Sequence, residues 1–371
     1  MMIIFSAILI SFYLLAILWL LSGLLSNRWL KTDSSSSNAF DGISVIVAFR
    51  NERANLPKLL ESLRVQDLPN GLWEVILVDD GSTDNALQLV ENSMNGIPVV
   101  SLVLPEGQSG KKQALLYGLS RARFNTIAFT DADCIPGPQW LSTIAQSMKH
   151  LHFLQGEVSP QVVKGDFFSM FEALDYLSLM AVSAASFSNG RPVIASSANL
   201  AFNRSAVMVD AKALKTHMAS GDDMFLLHHA KSKPGLRLGF LASPQIAVGT
   251  VFDGGIKGFI SRRSRWASKA LAYTDPDTIL LSAVVFIFNL WLAVLIVLSI
   301  LGIVHPALPL ATIAAKTLVD FPFLVYYLTK TSQQKLLVVF IPLQIVYPFY
   351  ISFTAIVGLL KGTVWKGRIT G

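Results

Sequence analysis

The chain has 371 residues, of which 52% are hydrophobic and only 15% are charged, a balance that is unusual for a purely soluble protein. Membrane segments are therefore expected. The formal net charge of +6 points to nucleic acid, anionic lipid or an anionic substrate as a partner. Nucleic acid is disfavoured, because the positive residues cluster beside apolar segments. The single cysteine, Cys134, excludes an intramolecular disulfide.

Residues 2–25 form an uncharged apolar run that is long enough to cross a bilayer, which takes about 20 residues. A cleaved signal peptide is the alternative, but no Lys or Arg precedes the run and no small-residue cleavage site follows it. We therefore expect a transmembrane anchor over residues 1–26. Arg28 and Lys31 follow and place the next segment in the cytoplasm by the positive-inside tendency. The serine-rich residues 33–38 are typical of a short flexible linker.

Strands and helices alternate from Gly42 onward. This alternation predicts an α/β domain over residues 40–253, with a mixed, mostly parallel sheet that is covered by helices on both faces. Ligands of such domains bind at the carboxyl ends of the strands. The predicted strands cover residues 43–49, 75–78, 98–104, 126–130 and 153–158, and the predicted helices cover residues 55–65, 85–94, 111–122 and 167–185.

Acidic side chains follow three of these strands. Asp131 and Asp133 come directly after the fourth strand, separated by one small residue, and a turn can direct both carboxylates at one Mg²⁺ or Mn²⁺ ion. The alternative is a chance spacing of two acids, since Asp often caps turns. Asp79 and Asp80 follow the second strand and could receive hydrogen bonds from a nucleoside. A strand-ending turn capped by an Asp side chain is an equal alternative for this pair. Glu52 has a similar place after the first strand.

A lysine and a second acidic pair begin helices farther along the chain. Lys111 follows Gly110 and is a candidate for binding a diphosphate, although a lysine at this position is more often solvated. Asp222 and Asp223 follow Gly221. They either cap the helix at the positive end of its dipole or place one carboxylate where it can take a proton from an attacking hydroxyl.

Residues 254–275 are basic and amphipathic, which is typical of a helix at a membrane surface. Within this segment Arg265 could hold a diphosphate, and Trp266 could stack on an acceptor sugar. The alternative is a basic aromatic helix that merely rests on lipid.

Three more apolar segments, residues 278–304, 307–328 and 336–360, predict a C-terminal membrane region over residues 276–361, followed by a basic tail over 362–371. Lys316 and Asp320 in the middle segment are four apart and share a helix face, as a neutralised pair or as the lining of a polar cavity. If all three segments cross, the tail ends outside, against the positive-inside tendency. If one is re-entrant, the tail stays inside.

Seven short motifs occur in a fixed order between about residues 40 and 270. In this order they resemble the membrane-bound family 2 glycosyltransferases, the group that includes chitin-oligosaccharide, hyaluronan, poly-N-acetylglucosamine and cellulose synthases and ceramide glucosyltransferase. The motifs are Ser44–Glu52, Val78–Asp84, Gly110–Lys111 with Ala114–Leu115, Asp131–Asp133, Ser197–Arg204, Gly221–Asp223 and Arg262–Trp266.

The resemblance implies a GT-A fold, a nucleotide-sugar donor that is commonly UDP-linked, a Mg²⁺ or Mn²⁺ ion, and inversion at the anomeric carbon by direct displacement. It implies that Asp223 is the general base, with Asp222 near the acceptor. The other implied roles are metal binding by Asp131 and Asp133, donor binding by Glu52, Asp79, Asp80, Lys111, Asp131 and Arg265, and acceptor binding by Trp266.

The sequence thus predicts a multi-pass enzyme of the inner (plasma) membrane that transfers a sugar to a lipid or glycan acceptor at the cytoplasmic face. Arg262 stands where processive synthases have Gln, which favours one transfer to a lipid over processive polysaccharide synthesis. A non-catalytic partner subunit of the same shape is a further alternative. Such a subunit should have lost some of the motif carboxylates, yet Asp80, Asp131, Asp133 and Asp223 are all present.

Overall fold

A computed structural model provides the structure of the chain and describes residues 2–31, 40–92, 96–162, 165–218, 220–252, 255–360, 363–365 and 368–370. The predicted linker lies outside these ranges, as do residues 362, 366, 367 and 371 of the predicted basic tail. The chain divides into two compact units. The helical unit comprises Met1–Arg28, Val162–Ile194 and Phe252–Thr363, and the sheet unit comprises Trp29–Gln161, Ala195–Val251 and Val364–Gly371.

A seven-stranded sheet forms the core of the sheet unit. Its strands are β1 (Ile43–Phe49), β2 (Trp73–Asp79), β3 (Val99–Val103), β4 (Thr126–Phe129), β6 (Phe153–Gly156), β8 (Leu200–Asn203) and β9 (Leu238–Leu241). They lie in the order β3-β2-β1-β4-β8-β6-β9, and only β8 runs antiparallel to its neighbours. The predicted mixed, mostly parallel sheet is confirmed.

The apolar strands β1 and β2 are buried along their whole length, as expected of parallel strands covered on both faces. In the register of the sheet Phe49 lies opposite Asp79, and Ile46 lies opposite Phe129. The carboxyl ends of β1, β2 and β4 therefore meet at one edge of the sheet. The predicted acidic residues follow these ends.

A second, three-stranded sheet begins one residue after Asp133. It contains β5 (Cys134–Pro136), β7 (Val158–Pro160) and β10 (Val248–Thr250), in the order β5-β10-β7. The sequence did not predict this sheet, because strands of three residues are too short to show a period. The predicted single strand 153–158 is in fact two strands, β6 and β7, with Glu157 between them.

Helices of the sheet unit form where apolar residues recur at helical spacing. In the helix α2 (Leu56–Arg64) the buried residues Leu56, Leu59, Leu60 and Leu63 make one apolar face. The helix α4 (Lys111–Arg121) approaches the sheet so closely that a Cβ at Gly118 would lie 2.6 Å from a methyl carbon of Ile46. The helices are α2 (Leu56–Arg64), α3 (Ala86–Asn92), α4 (Lys111–Arg121), α5 (Trp140–Met148), α7 (Arg204–Val207), α8 (Ala211–Leu214) and α9 (Asp222–Lys231).

Within the described residues, the helical unit contains five helices that are long and apolar enough to cross a membrane: α1 (Met2–Leu25), α6 (Phe167–Ser188), α11 (Pro276–Ile300), α12 (Ala307–Lys330) and α13 (Phe340–Leu360), which continues the 3₁₀ helix Gln334–Val339. The shorter α10 (Gly255–Ala267) carries the Arg262–Trp266 motif. The prediction of a membrane protein is confirmed. The sequence indicated four such segments, and α6, much of which is buried within the protein, is the additional one.

Lys316 and Asp320 form a buried ion pair in α12, with 2.5 Å between Nζ and a carboxylate oxygen. Tyr13 of α1 donates a 2.8 Å hydrogen bond to Asp320, and Lys316 donates one to Gln344 of α13. The interpretation as a neutralised pair is confirmed. Because each buried charge has a partner, the cluster joins three helices without leaving a charge uncompensated.

The buried carboxyl group of Glu157 predicts a pH-dependent stability. Glu157 is only 4% exposed, and burial raises its pKa from 4.5 to about 8. The folded state therefore favours the protonated form, so stability falls as the pH rises from about 4.5 to about 8 and changes little above that. Glu157→Gln should remove this fall and stabilise the protein at pH 8.5 by a few kcal/mol, on the order set by about 1.4 kcal/mol per pKa unit.

Thermal unfolding of the purified protein at pH 5 and pH 8.5 measures this difference. Glu61→Gln is the matched control, because Glu61 is on the exposed surface of α2. A Glu157→Gln variant with the same pH dependence as the wild type would show that this carboxyl group is ionised at little cost in the folded protein.

Candidate active site

The loops that follow β1 and β2 are bonded to each other at the edge of the sheet. Asn51, with a φ of 53°, donates its backbone N–H to the Ser82 hydroxyl at 2.9 Å and accepts a hydrogen bond from the Thr83 N–H at 2.8 Å. The Arg53 N–H donates to the Asp84 carboxylate at 2.9 Å. These bonds fix the two loops as one surface.

Asp79 and Asp80 have different partners in this surface. Asp79 accepts hydrogen bonds from the Ser82 N–H at 2.9 Å and from its hydroxyl at 2.5 Å, which closes the turn after β2. Asp80 accepts a 3.0 Å hydrogen bond from the N–H of Gly110, directly before α4. Burial raises the pKa of Asp80, and the Gly110 N–H and the Arg50 charge oppose that rise only in part.

The ammonium group of Lys111 is the centre of the site. Its Nζ lies 2.7 Å from a carboxylate oxygen of Asp131 and 3.1 Å from one of Asp222, and it donates a 2.7 Å hydrogen bond to the Ser197 hydroxyl. Burial alone would lower the pKa of Lys111, but the charges of Asp131, Asp222 and Asp223 outweigh burial and raise it. Lys111 is therefore a paired, permanently charged group, and the interpretation as a solvated lysine is wrong.

Asp131 and Asp133 have the chemistry of a site for a hard divalent cation. Ligand atoms of Asp131, Asp133 and Cys134 all lie within 4.8 Å of one another. Protein atoms that displace part of the water around the Asp133 carboxylate, together with the charges of Asp131 and Glu52, raise its pKa to about 6. The Asp133 side chain is exposed, so a cation arriving from solvent can relieve this repulsion.

Cys134 does not fit the same role. Its thiol is 1% exposed, and burial together with the charges of Asp133 and Asp131 raises its pKa well above the ordinary value. A protonated thiol is a poor ligand for Mg²⁺ or Mn²⁺, which prefer oxygen. The two carboxylates therefore fit such an ion, and the thiol does not.

Asp222 and Asp223 differ in exposure although they are adjacent. Gly221 precedes them as the N-cap of α9, with a φ of 88° that favours glycine. Asp222 is buried beside Lys111, whereas Asp223 is half-buried and accepts a 2.7 Å hydrogen bond from the Met224 N–H. Of the two carboxylates, Asp223 is the more accessible to a substrate.

The family follows from comparison with known proteins. Residues 44–176 match the family model "Glycosyl transferase family 2", and residues 126–352, more than half of the chain, match "Glycosyl transferase family group 2". The chain belongs to glycosyltransferase family 2. The membership predicted from the seven motifs is confirmed, and with it the assignment to a family of transferase enzymes.

Curated relatives match this family 2 glycosyltransferase over part of its length. Glycosyltransferase AglE of Haloferax volcanii is 28% identical over 186 residues, which cover 49% of this chain and 59% of AglE. Undecaprenyl-phosphate 4-deoxy-4-formamido-L-arabinose transferase of Pseudomonas aeruginosa is 31% identical over 109 residues, which cover 29% of this chain and 32% of that enzyme. The matches therefore span less than two thirds of either relative.

One solved structure matches this chain over nearly its whole length. The mannosyltransferase PcManGT of Pyrobaculum calidifontis, solved in complex with GDP-Man and Mn²⁺, has a TM-score of 0.58 and 21% identity. The match covers 93% of this chain and 99% of that one. At this identity the likeness establishes the fold, and the predicted GT-A architecture is confirmed.

Arg265 and Trp266 lie in α10 of the helical unit, and their neighbours there include residues that sequence reasoning did not select. Arg262 pairs with Glu172 of α6, and Arg263 pairs with Asp175 of the same helix. The helix therefore does more than rest on lipid. The sequence did contain a sign of these pairs. Glu172 and Asp175 are acids three residues apart in an apolar helix, where a carboxylate needs a partner.

A comparison of Asp133→Asn with Cys134→Ser tests the metal site. With a nucleoside diphosphate present, Asp133→Asn should weaken Mn²⁺ binding at least about tenfold, because it removes an anionic oxygen ligand. Cys134→Ser should leave the affinity within about twofold, because the thiol is not a ligand. Titration monitored by the EPR signal of free Mn²⁺ measures both, and equal losses would contradict the division between carboxylates and thiol.

Proposed function

We propose that this enzyme transfers one sugar, with inversion at the anomeric carbon, from a nucleotide-diphosphate sugar to a membrane lipid at the cytoplasmic face of the plasma (inner) membrane. The observation that carries the proposal is the Lys111 cluster. One buried ammonium group contacts Asp131, in the loop after β4, and Asp222, at the start of α9. The Lys111 ammonium group is therefore a positive charge that can bind the diphosphate of a donor. It lies beside the candidate metal ligand Asp131 and near the candidate base Asp223.

The donor proposal assigns the nucleoside to the surface formed by the β1 and β2 loops. Glu52 and Asp80 would receive hydrogen bonds from the nucleoside, and Asp79 would support them by closing the turn. Lys111 and Asp131 would bind the diphosphate part. Donor binding by Arg265, which lies in the helical unit, is implied by the family resemblance alone. The resemblance favours UDP, whereas the complex of PcManGT contains GDP-Man, so both nucleotides belong in the test.

The chemistry follows from the two acids at the start of α9. The acceptor hydroxyl attacks the anomeric carbon while the bond between that carbon and the diphosphate oxygen breaks, and Asp223 takes the hydroxyl proton. Asp222 stays paired with Lys111, whose charge stabilises the departing diphosphate. A Mg²⁺ or Mn²⁺ ion held by Asp131 and Asp133 would supply further positive charge to the leaving group.

A lipid acceptor is supported by three features. Five helices in the described part of the chain are apolar enough to cross a membrane, Arg262 stands where processive synthases have Gln, and one relative is named for undecaprenyl phosphate. Trp266 would stack on the acceptor. The cytoplasmic orientation rests on Arg28 and Lys31 after the first apolar helix. Processive extension of a polysaccharide is the second candidate function, because the resemblance includes polymer synthases.

The chemical nature of the reaction product distinguishes single transfer to a lipid from synthesis of a polymer. The purified protein in nanodiscs, made once from total membrane lipid and once with added undecaprenyl phosphate, is incubated with Mn²⁺ and radiolabelled UDP-sugars or GDP-mannose. We expect a chloroform-soluble product that carries one sugar. A water-soluble polymer would contradict single transfer to a lipid, and no transfer from any donor would contradict the proposed activity.

Asp223→Asn tests the base in the same assay. With a hydroxyl acceptor, the variant should lose transfer by about 10²-fold or more while donor affinity stays within about twofold, because only proton removal is impaired. A phosphate acceptor carries its own negative charge, so the same variant should then lose little. Undiminished transfer to a hydroxyl would exclude Asp223 as the base.

A further inference from the structure

The helical unit contains a chain of contacts that begins at a buried acid and ends at Trp266. We propose that Asp175 is a positioning residue that fixes the orientation of Trp266 through Arg263. The proposal rests on the proposed function, in which Trp266 binds the acceptor. It adds to that function a residue of α6 that does not itself touch the substrate.

The first contact joins Asp175 to Arg263. The Asp175 side chain is 2% exposed and the Arg263 side chain 8%, and the two form an ion pair. Tyr350 of α13 donates its hydroxyl hydrogen to the other carboxylate oxygen of Asp175. A buried guanidinium group that loses its paired carboxylate is strongly destabilised, so Asp175 holds the Arg263 side chain in place.

The second contact joins Arg263 to Trp266. The guanidinium carbon of Arg263 lies 4.9 Å from the centre of the Trp266 ring, a cation–π distance. Tyr176, one residue after Asp175, approaches Trp266 with 6.0 Å between ring centres and 55° between ring planes. The Trp266 ring is therefore oriented by one cation and one aromatic ring, and the cation is held by Asp175.

The backbone of α10 has supports that do not involve Asp175. Arg262 pairs with Glu172, and Gly358 of α13 lies so close to α10 that a Cβ there would be 2.4 Å from the Ser264 carbonyl oxygen. Loss of the Asp175 charge should therefore leave α10 docked while it releases the Arg263 side chain. The expected defect is in Trp266 orientation and not in assembly of the helices.

The same unit provides a matched control. Asp320 is a buried acid that pairs with one cation, Lys316, and accepts a hydrogen bond from one tyrosine, Tyr13. Asp175 has the same kinds of partner. Asp320→Asn thus breaks a chemically similar cluster that approaches the Asp175 cluster only by way of Tyr347 among the described residues, so it serves as the control for loss of stability.

The test compares Asp175→Asn with Asp320→Asn in nanodiscs. The acceptor concentration is varied as undecaprenyl phosphate, or as total lipid extract if that is the fraction that accepts sugar. Asp175→Asn should lower kcat/KM for the acceptor by on the order of 10- to 100-fold, mainly through KM, with the KM for the donor within about twofold. Asp320→Asn should lower the melting temperature as much and leave the acceptor KM within about twofold.

A milder pair of variants decides the question if Asp175→Asn does not fold. Tyr350→Phe should raise the acceptor KM several-fold, whereas Tyr13→Phe should not. If both variants of a pair fold and have equal acceptor KM values while the wild type is active, the positioning role is overturned and the proposed function is not. A wild type that transfers no sugar to either acceptor would overturn the proposed function and this role together.

Discussion

The candidate site of the sheet unit depends on one interaction, the pairing of the buried Lys111 ammonium group with the carboxylates of Asp131 and Asp222. A buried lysine is costly unless it is paired, and here the partners Asp131 and Asp222 come from segments far apart in the sequence. The pairing therefore exists only in the folded chain. It also places a positive charge beside two carboxylates that fit a divalent cation, and both positive charges would stabilise the anionic diphosphate that leaves in the proposed reaction.

Much of the sheet unit was predictable because its central strands are long, apolar and fully buried. The runs at β1, β2 and β4 indicated parallel strands, and the acids after them had to share an edge. The small sheet was not predictable, since three-residue strands carry no period. The pairing of Lys111 with Asp222 was not predictable either, because nothing in the sequence shows that the starts of these two helices lie close together in the fold.

The helical unit shows a different limit of sequence reasoning. Lys316 and Asp320 are four residues apart on one helix, so their pairing could be predicted. Asp175 and Arg263 lie on different helices, and only their occurrence in or beside apolar segments hinted that each needs a partner. The Asp320 cluster and the Asp175 cluster approach each other through Tyr347. The centre of the Tyr347 ring lies 5.0 Å from the ammonium nitrogen of Lys316 and 5.1 Å from the centre of the Tyr350 ring.

A double-mutant cycle of Lys111→Met and Asp222→Asn, read from kcat/KM for the donor, tests the importance of the Lys111 cluster most directly. If the two groups act as one unit, Asp222→Asn should cost far less in the Lys111→Met background than in the wild type, with a coupling energy of about 1–3 kcal/mol. Strictly additive losses would show that Lys111 and Asp222 act separately and would contradict the central place given to their contact.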